Sequence, residues 1–269
     1  MTEIVSNEPL VSVCLGVKDG IRTIAAFIDA VRAQTYRAVE LVIVDNHSTD
    51  GTAEFCAARA DQFFTLGPER SAQRNKAFRE AKGKYVLTLD ADQYLGPHVI
   101  SESVAAMASD PSLHGLFIPE ETVALGFWGA CKKFERDFYL IGDDSAEAAR
   151  FFRRDEVLAI GGFDERKAGG EDWDLSDRMR ATYGKLGRIE ARLVHDEGRI
   201  RLKEQVQKKR YYARTGINDY LRVAPKFRRV PFPLRPSVRK QWWRLVTHPV
   251  LAAGTIYMKL REGMSVLKP

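Results

Sequence analysis

The sequence predicts an α/β protein with a mainly parallel central sheet, flanking helices and a basic helical extension at its C-terminal end. Three observations lead there. Short apolar runs at residues 10–17, 40–44, 63–66 and 85–89 alternate with stretches whose apolar residues recur at helical spacing. Strands and helices alternating at this interval imply right-handed βαβ crossovers and hence a parallel sheet. The charge also changes sign along the chain: residues 201–269 hold 17 Lys and Arg against 3 Asp and Glu, a net +14, which leaves −8 on the first 200 residues of a chain of total +6. A main α/β domain over 1–200 and a basic, aromatic-rich helical extension over 201–269 are therefore expected.

Taken in order, the run 10–17 is a strand, Lys18-Asp19-Gly20 a turn, and Ile21, Ile24, Ala25, Ile28 and Val31 one face of a helix. The second strand, 40–44, ends in Asp45-Asn46-His47-Ser48-Thr49-Asp50-Gly51, where Ser48, Thr49 and Asp50 can each cap a helix starting near Thr52. A third strand at 63–66, a helix over 71–81 that carries Arg74 and Asn75, and a fourth strand at 85–89 complete this half. Beyond it the spacing predicts a helix over 97–107, a strand at 116–119, a lid over 120–127, an amphipathic helix over 128–139 and a short strand at 149–152. Residues 157–164 read as a helix ending at Gly161-Gly162, Gly169-Gly170 open a helix running to 183, and 186–194 form a last strand ending at His195.

With 269 residues and 45% hydrophobic content, the chain can bury the core of one large domain, or of a domain with an appendage. Residues 1–9 lack the basic start and apolar core of a signal peptide, so secretion is not expected. Cys14, Cys56 and Cys131 are odd in number and far apart, which favours buried thiols in a reducing compartment over disulfides or a zinc site. A cytoplasmic protein is expected. The longest apolar stretch, 245–260, is interrupted by His248, Pro249 and Lys259 and is too short to span a bilayer.

The chemistry concentrates at Leu89-Asp90-Ala91-Asp92. A buried strand that ends in two carboxylates places them at the C-terminal edge of the sheet, where open α/β folds bind ligands, and hard oxygens at this spacing suit a divalent cation holding a diphosphate. The alternative is that Asp90 and Asp92 only cap a turn. Asp45, also at a strand end, can accept the imide N–H of a base such as uracil or can cap the helix after it. Arg74 can meet a phosphate or carboxylate with its planar fork. Neither GxGxxG nor GK[ST] occurs in the positions a dehydrogenase or NTPase requires.

Val42-Ile43-Val44-Asp45-Asn46-His47-Ser48-Thr49-Asp50-Gly51-Thr52, Arg74-Asn75, Leu89-Asp90-Ala91-Asp92, Gly161-Gly162-Phe163-Asp164 and Gly170-Glu171-Asp172-Trp173-Asp174-Leu175 follow one another in the order found in family 2 glycosyltransferases of the GT-A fold. The chain resembles that family over about residues 11–195. The resemblance implies transfer of a sugar from a UDP- or GDP-sugar to an acceptor hydroxyl, with inversion and with Mn²⁺ or Mg²⁺ as cofactor. It implies that Asp92 ligates the metal, with His195 as a further ligand, and that Val17, Asp45, Arg74, Asn75, Asp90 and Ala91 contact the nucleotide sugar. Asp172 would be the general base and Glu171 would orient the acceptor, a glycan or lipid-linked glycan. Two departures stand out: Gly16-Val17-Lys18-Asp19 replaces the family's Pro-x-Tyr-Asn type of turn, and His47 stands where glycine is common. The alternatives are a non-catalytic GT-A-like module whose basic tail binds nucleic acid or membrane, and a sugar nucleotidyltransferase. Nucleic acid is the less expected partner, and a nucleotidyltransferase would want a glycine-rich basic loop that the single Gly20 does not supply.

In the extension, Lys208-Lys209-Arg210 run into Tyr211-Tyr212, and Arg239-Lys240 precede Trp242-Trp243. Cations beside interfacial aromatics predict peripheral docking on the anionic inner face of a membrane. The alternative is that the tail wraps the acidic catalytic domain.

Overall fold

A computed structural model of the chain describes residues 8–267. Its centre is a seven-stranded sheet. Strands β1 (Val11–Val17), β2 (Val39–Asp45), β3 (Gln62–Thr65) and β4 (Tyr85–Leu89) pair in parallel in the order β3-β2-β1-β4. The chain steps outward from β1 to β3, then returns to place β4 on β1's other side. This reversal opens a crevice at the C-terminal ends of β1 and β4. Beyond β4 come β8 (Ala149–Arg153), antiparallel to it, then β6 (Gly115–Phe117) and β9 (Leu186–Arg188).

Both faces of the sheet are covered, which is why its strands read as unbroken apolar runs. Val13, Leu15, Leu41, Ile43, Leu87 and Leu89 point to one face, packed by α1 (Ile21–Arg32), α2 (Thr52–Ala57) and α4 (Val99–Ser109). Cys14, Val42, Val44 and Val86 point to the other, packed by α3 (Arg70–Glu80), α6 (Arg154–Ala159) and α7 (Glu171–Tyr183). Helix α3 lies close on β1 because Gly16 is there: a Cβ would stand 3.0 Å from Gln73 Oε1.

Three expectations need correcting. Residues 186–194 are two elements, because the chain turns after β9 and leaves the main sheet to form β10 (Leu193–Arg199). Residues 120–127 are no lid: most of them form β7 (Glu120–Leu125), which pairs with β10, while β5 (Gln93–Leu95) pairs on β10's other side, making a small second sheet. The helix expected over 157–164 is α6, already finished at Ala159.

The extension folds back on the body. Helix α5 (Gly126–Asp137) packs against α12 (Pro249–Leu267), in a core that joins Phe134 and Phe138 to Phe232, Val238 of α10 (Pro236–Lys240) and Ala252; α8 (Leu202–Tyr212) and α11 (Trp243–Thr247) lie on α12, and α9 (Asn218–Val223) reaches α7 through Tyr220, which donates to Asp177. Arg228 is buried and bonds Asp177 of α7 at 3.0 Å, and Lys259 pairs with buried Glu135 at 2.8 Å. At Gly254 a Cβ would come within 2.5 Å of Cys131 Sγ, so α12 can cross α5 only with glycine there. The described residues of the extension thus pack on the domain through Arg228 and Lys259, while Trp242 and Trp243 stay exposed. No helix among the described residues is long and apolar enough to cross a membrane.

Candidate active site

A cleft of about 510 Å³ opens at the ends of β1 and β4 and is closed on its far side by α5 and α8. Of the expected site residues, Val17, Asp90, Ala91, Asp92, Glu171, Asp172 and His195 line it.

At one end two loops are laced together. Asp19 N donates to Ser48 Oγ at 2.8 Å, Thr49 N to Asp19 Oδ1 at 2.9 Å and Gly20 N to Thr52 Oγ1 at 2.9 Å. His47 takes φ +52°, a left-handed conformation that explains why glycine suits that position. Asp45 is buried and not part of the cleft wall. Its Oδ2 accepts from Ser48 N at 2.8 Å, whereas Oδ1 is buried with no partner. One oxygen thus caps the turn and the other is left for a donor still to come.

Arg74, fully buried, holds the centre. It donates to Asp90 Oδ1 at 2.5 Å and to Asp172 Oδ1 at 2.9 Å, with Glu171 Oε1 at 3.5 Å. Its Nε is left buried without a partner. Arg70, one helical turn earlier, bonds Glu171 and lies 3.9 Å from Asp90. Burial opposes ionisation of Asp90, but Arg74, Arg70 and Arg150 outweigh it and hold the carboxyl well below its usual range. Glu171 is pushed the other way, by burial and then by the charge on Asp172. Three carboxylates converge at the start of α7, which the positive helix end favours. Asp174 is not available as a base: it bonds Lys167 at 2.5 Å and Arg178 at 2.8 Å.

Asn75 does not reach the cleft. It donates to Phe163 O and to Glu165 Oε1, each at 2.9 Å, and accepts from Phe163 N at 2.8 Å, so its amide is consumed in holding the Gly161-Gly162 turn against α3. A role in contacting donor is corrected to one of bracing that turn.

Asp92 follows β4 and His195 lies on β10, brought opposite one another because Asp196 N donates to Asp92 O at 2.9 Å. His195 Nδ1 bonds Glu120 Oε1 at 2.7 Å, and Nε2 faces Asp92 Oδ2 at 3.4 Å. Burial disfavours the imidazolium, but these two carboxylates outweigh it and raise the pKa to about 10. The charged ring donates to both carboxylates; a divalent cation would have to displace the Nε2 proton, after which Asp92 and Nε2, with Glu120 behind the ring, suit a cation that completes its shell from substrate and water. Among the described residues no cluster of three or more His, Cys, Asp and Glu forms a ready-made metal cage.

Sequence reasoning missed Glu120 and Arg150. Arg150 Nη2 bonds Glu120 Oε2 at 3.2 Å while Nη1 is buried and unpartnered. The signal was the alternation of Glu120 and Thr122 along a strand, which the expectation of a lid obscured.

Comparison with known proteins follows the same lines. The model of the family described as glycosyl transferase family 2 matches residues 12–152. The O-antigen biosynthesis protein RfbC of Myxococcus xanthus is 26% identical over 202 residues, covering 71% of this chain and 16% of that protein. An Escherichia coli protein, UDP-Glc:alpha-D-GlcNAc-diphosphoundecaprenol beta-1,3-glucosyltransferase WfaP, is 27% identical over 129 residues, 45% of this chain and 51% of its own length. The chain thus spans about half or less of these relatives. Among solved structures, the Pyrobaculum calidifontis mannosyltransferase PcManGT, in complex with GDP-Man and Mn²⁺, superposes with TM-score 0.61 at 20% identity over 93% of this chain and 74% of that one. S. aureus TarS 1-349 in complex with UDP gives TM-score 0.57 at 14% identity over 94% of this chain and 90% of that one. Likeness at these identities establishes the GT-A fold.

Proposed function

The chain belongs to glycosyl transferase family 2, and from that premise we propose that it moves a sugar from a UDP- or GDP-sugar to an acceptor hydroxyl with inversion. The observation that carries this reading is the double grip of Arg74 on Asp90 and Asp172, two carboxylates of one cleft that we read as the donor-side and the acceptor-side one. Asp172 is the general base. Its Oδ1 is held by Arg74, its side chain is 27% exposed on the cleft, and Oδ2 has no described partner, which leaves it to the acceptor. The acceptor oxygen bonds the anomeric carbon as the bond to the diphosphate oxygen breaks; the proton passes to Asp172 and the electron pair to the leaving nucleoside diphosphate. Glu171, tied to Arg70, orients the acceptor.

Asp92 and His195 would hold Mn²⁺ or Mg²⁺, whose chemistry there is to neutralise charge on the leaving diphosphate. The neighbour with GDP-Man and Mn²⁺ and the neighbour with UDP support this. Val17 and Ala91 line the cleft where the nucleotide would lie, whereas Asp45, with Oδ1 unpaired, stands buried behind that wall and would meet a base N–H only if the loops in front of it part.

The acceptor reading, a lipid-linked glycan, is supported by the Escherichia coli relative named for a diphosphoundecaprenol-linked acceptor. Its natural complement is peripheral docking on an anionic bilayer. Trp242, Trp243, Val246, Val250 and Leu260 are exposed on α11, α12 and the turn before them, next to Arg239 and Lys240. Rings and aliphatic groups beside cations match the headgroup region.

Thermal unfolding with UDP, GDP and their sugars, each with and without Mn²⁺, tests the donor reading. A ligand of the folded state raises the midpoint by mass action, so a metal-dependent rise with one nucleotide is expected. If no nucleotide moves the midpoint, the reading falls.

A further inference from the structure

We propose that the extension supplies the acceptor wall of the active site: Tyr212 and Ile217 form the surface on which a neutral sugar ring of the acceptor lies, so that acceptor choice resides in residues 212–217. This deepens the transferase reading of the cleft and rests on it.

The extension reaches the cleft at the root of α7. After α8 a helical turn, Ala213–Ile217, breaks at Thr215 and at Gly216, whose φ of +149° lies in the region that favours glycine. There its backbone lies directly on the loop that leads into Glu171 and Asp172. Ala168 N donates to Thr215 O at 2.9 Å, and a Cβ on Gly216 would stand 3.1 Å from Gly169 O and 3.2 Å from Ala168 N. From the loop's side, a Cβ on Gly169 would stand 3.0 Å from Tyr212 Cβ, and one on Gly170 would stand 3.5 Å from Ile217 Cγ1. Tyr212 and Ile217 thus flank the two glycines that open α7. Both are half-buried and both line the cleft, as do Glu171, Asp172 and Trp173. Burial opposes the charge on Arg70, but Asp90, Glu171, Asp172 and Tyr212 outweigh it and hold its pKa above the ordinary value, which sets the Tyr212 phenol in the company of the three carboxylates.

The chemistry of this corner selects its ligand. Two arginines, Arg70 and Arg74, face three carboxylates, Asp90, Glu171 and Asp172, so a further anion is repelled and hydroxyl donors are accepted. The charges of Lys208 and Lys209, earlier on α8, act on Glu197 and on Glu262 respectively. Beside the carboxylates, the Tyr212 ring and the Ile217 side chain offer apolar surface. A pyranose presents both complements: hydroxyls around its edge and C–H groups over its face.

The test uses the full chain saturated with UDP or GDP, whichever binds it, and Mg²⁺. Affinities for methyl β-glucoside, methyl α-mannoside and methyl N-acetyl-β-glucosaminide are read by saturation-transfer NMR, with glucose 1-phosphate as the anionic control. At least one methyl glycoside is expected to bind, more tightly than glucose 1-phosphate, and to weaken by about 10-fold in Tyr212→Leu, which keeps the Cβ that meets Gly169 and removes the ring. Tyr212→Phe should bind as wild type does. Ile217→Ala should weaken the same glycoside and provides the comparison if Tyr212→Leu does not fold. Nucleotide affinity should be equal in all of them, which a general disturbance of the cleft would not leave intact. The proposal is overturned if no glycoside binds the nucleotide-loaded wild type, if glucose 1-phosphate binds more tightly than the glycosides, if the folded variants bind glycoside as wild type does, or if Tyr212→Phe loses as much as Tyr212→Leu. A wild type that binds neither UDP nor GDP is a different failure: it defeats the transferase reading, and the acceptor wall falls with it.

Discussion

Arg74 donates to Asp172 Oδ1 at 2.9 Å from a side chain with no exposed surface, and the same guanidinium holds Asp90 at 2.5 Å. One buried cation thereby fixes the spacing between the end of β4 and the start of α7. Arg74→Met leaves both carboxylates short of a partner, with Arg70 the nearest cation. Loss of about 3–5 kcal/mol is expected in urea unfolding, the usual cost of breaking a buried pair from one side. Arg74→Lys, which can serve one carboxylate at a time, should fall between.

Asp172→Asn is expected to lower turnover by about 10²-fold to 10⁴-fold with nucleotide affinity little changed, the share of general-base catalysis. Asp174→Asn should instead lower stability, since Asp174 is bonded to Lys167 and Arg178. A reversal of these two outcomes would reassign the base.

Asp92→Asn is expected to abolish metal-dependent nucleotide binding without unfolding the chain. Glu120→Gln, behind His195, should weaken the metal by about 10-fold to 100-fold, as outer-shell partners do. Manganese titration followed by paramagnetic relaxation reads both, and unchanged affinity in Asp92→Asn removes that residue from the metal.

Lys209 gives a pH signature. Burial, then Lys132 and Lys259, lower its pKa to about 7, with Glu262 opposing and Arg136 adding to the shift. Its folded value lies below its unfolded one, so between about pH 7 and about pH 10 the unfolded chain binds the extra proton and the folded chain gains stability as pH rises. The urea midpoint of wild type should rise across that window by more than that of Lys209→Met; parallel curves would refute the shift.

Membrane docking is checked in the full chain with Trp242→Ser/Trp243→Ser, whose side chains are exposed. Co-sedimentation with phosphatidylglycerol vesicles should exceed that with phosphatidylcholine, weaken with salt and drop in the variant. Equal recovery in the supernatant with both lipids at low salt leaves the tail a packing role.

The first half of the fold was legible because β1, β2 and β4 are buried on both faces and their helices on one, so local periodicity carried the topology. Val11–Val17, Val39–Asp45 and Tyr85–Leu89 lie within a few residues of expectation. Legibility failed where pairing is non-local. β5 has three residues, too few for any period, and exists because β10, distant in sequence, comes back to pair with it. Glu120 looked like loop because its partners His195 and Arg150 are distant in sequence. Asp92 and Asp172 could be picked out as strand-end and helix-start residues, whereas His195, expected at a strand end, lies within β10, and Arg74's role as a bridge depends on α3 packing over both carboxylates, which spacing alone does not express.

Arg228, anchored on Asp177, ties the extension to the helix that begins with Glu171 and Asp172. Recombination between related chains therefore has a forbidden seam. A tail exchanged without α7 would strand Asp177 opposite a foreign surface, and a breakpoint near residue 200 should give insoluble hybrids, whereas one placed before α5, carrying that helix, α7 and the tail together, moves the unit intact.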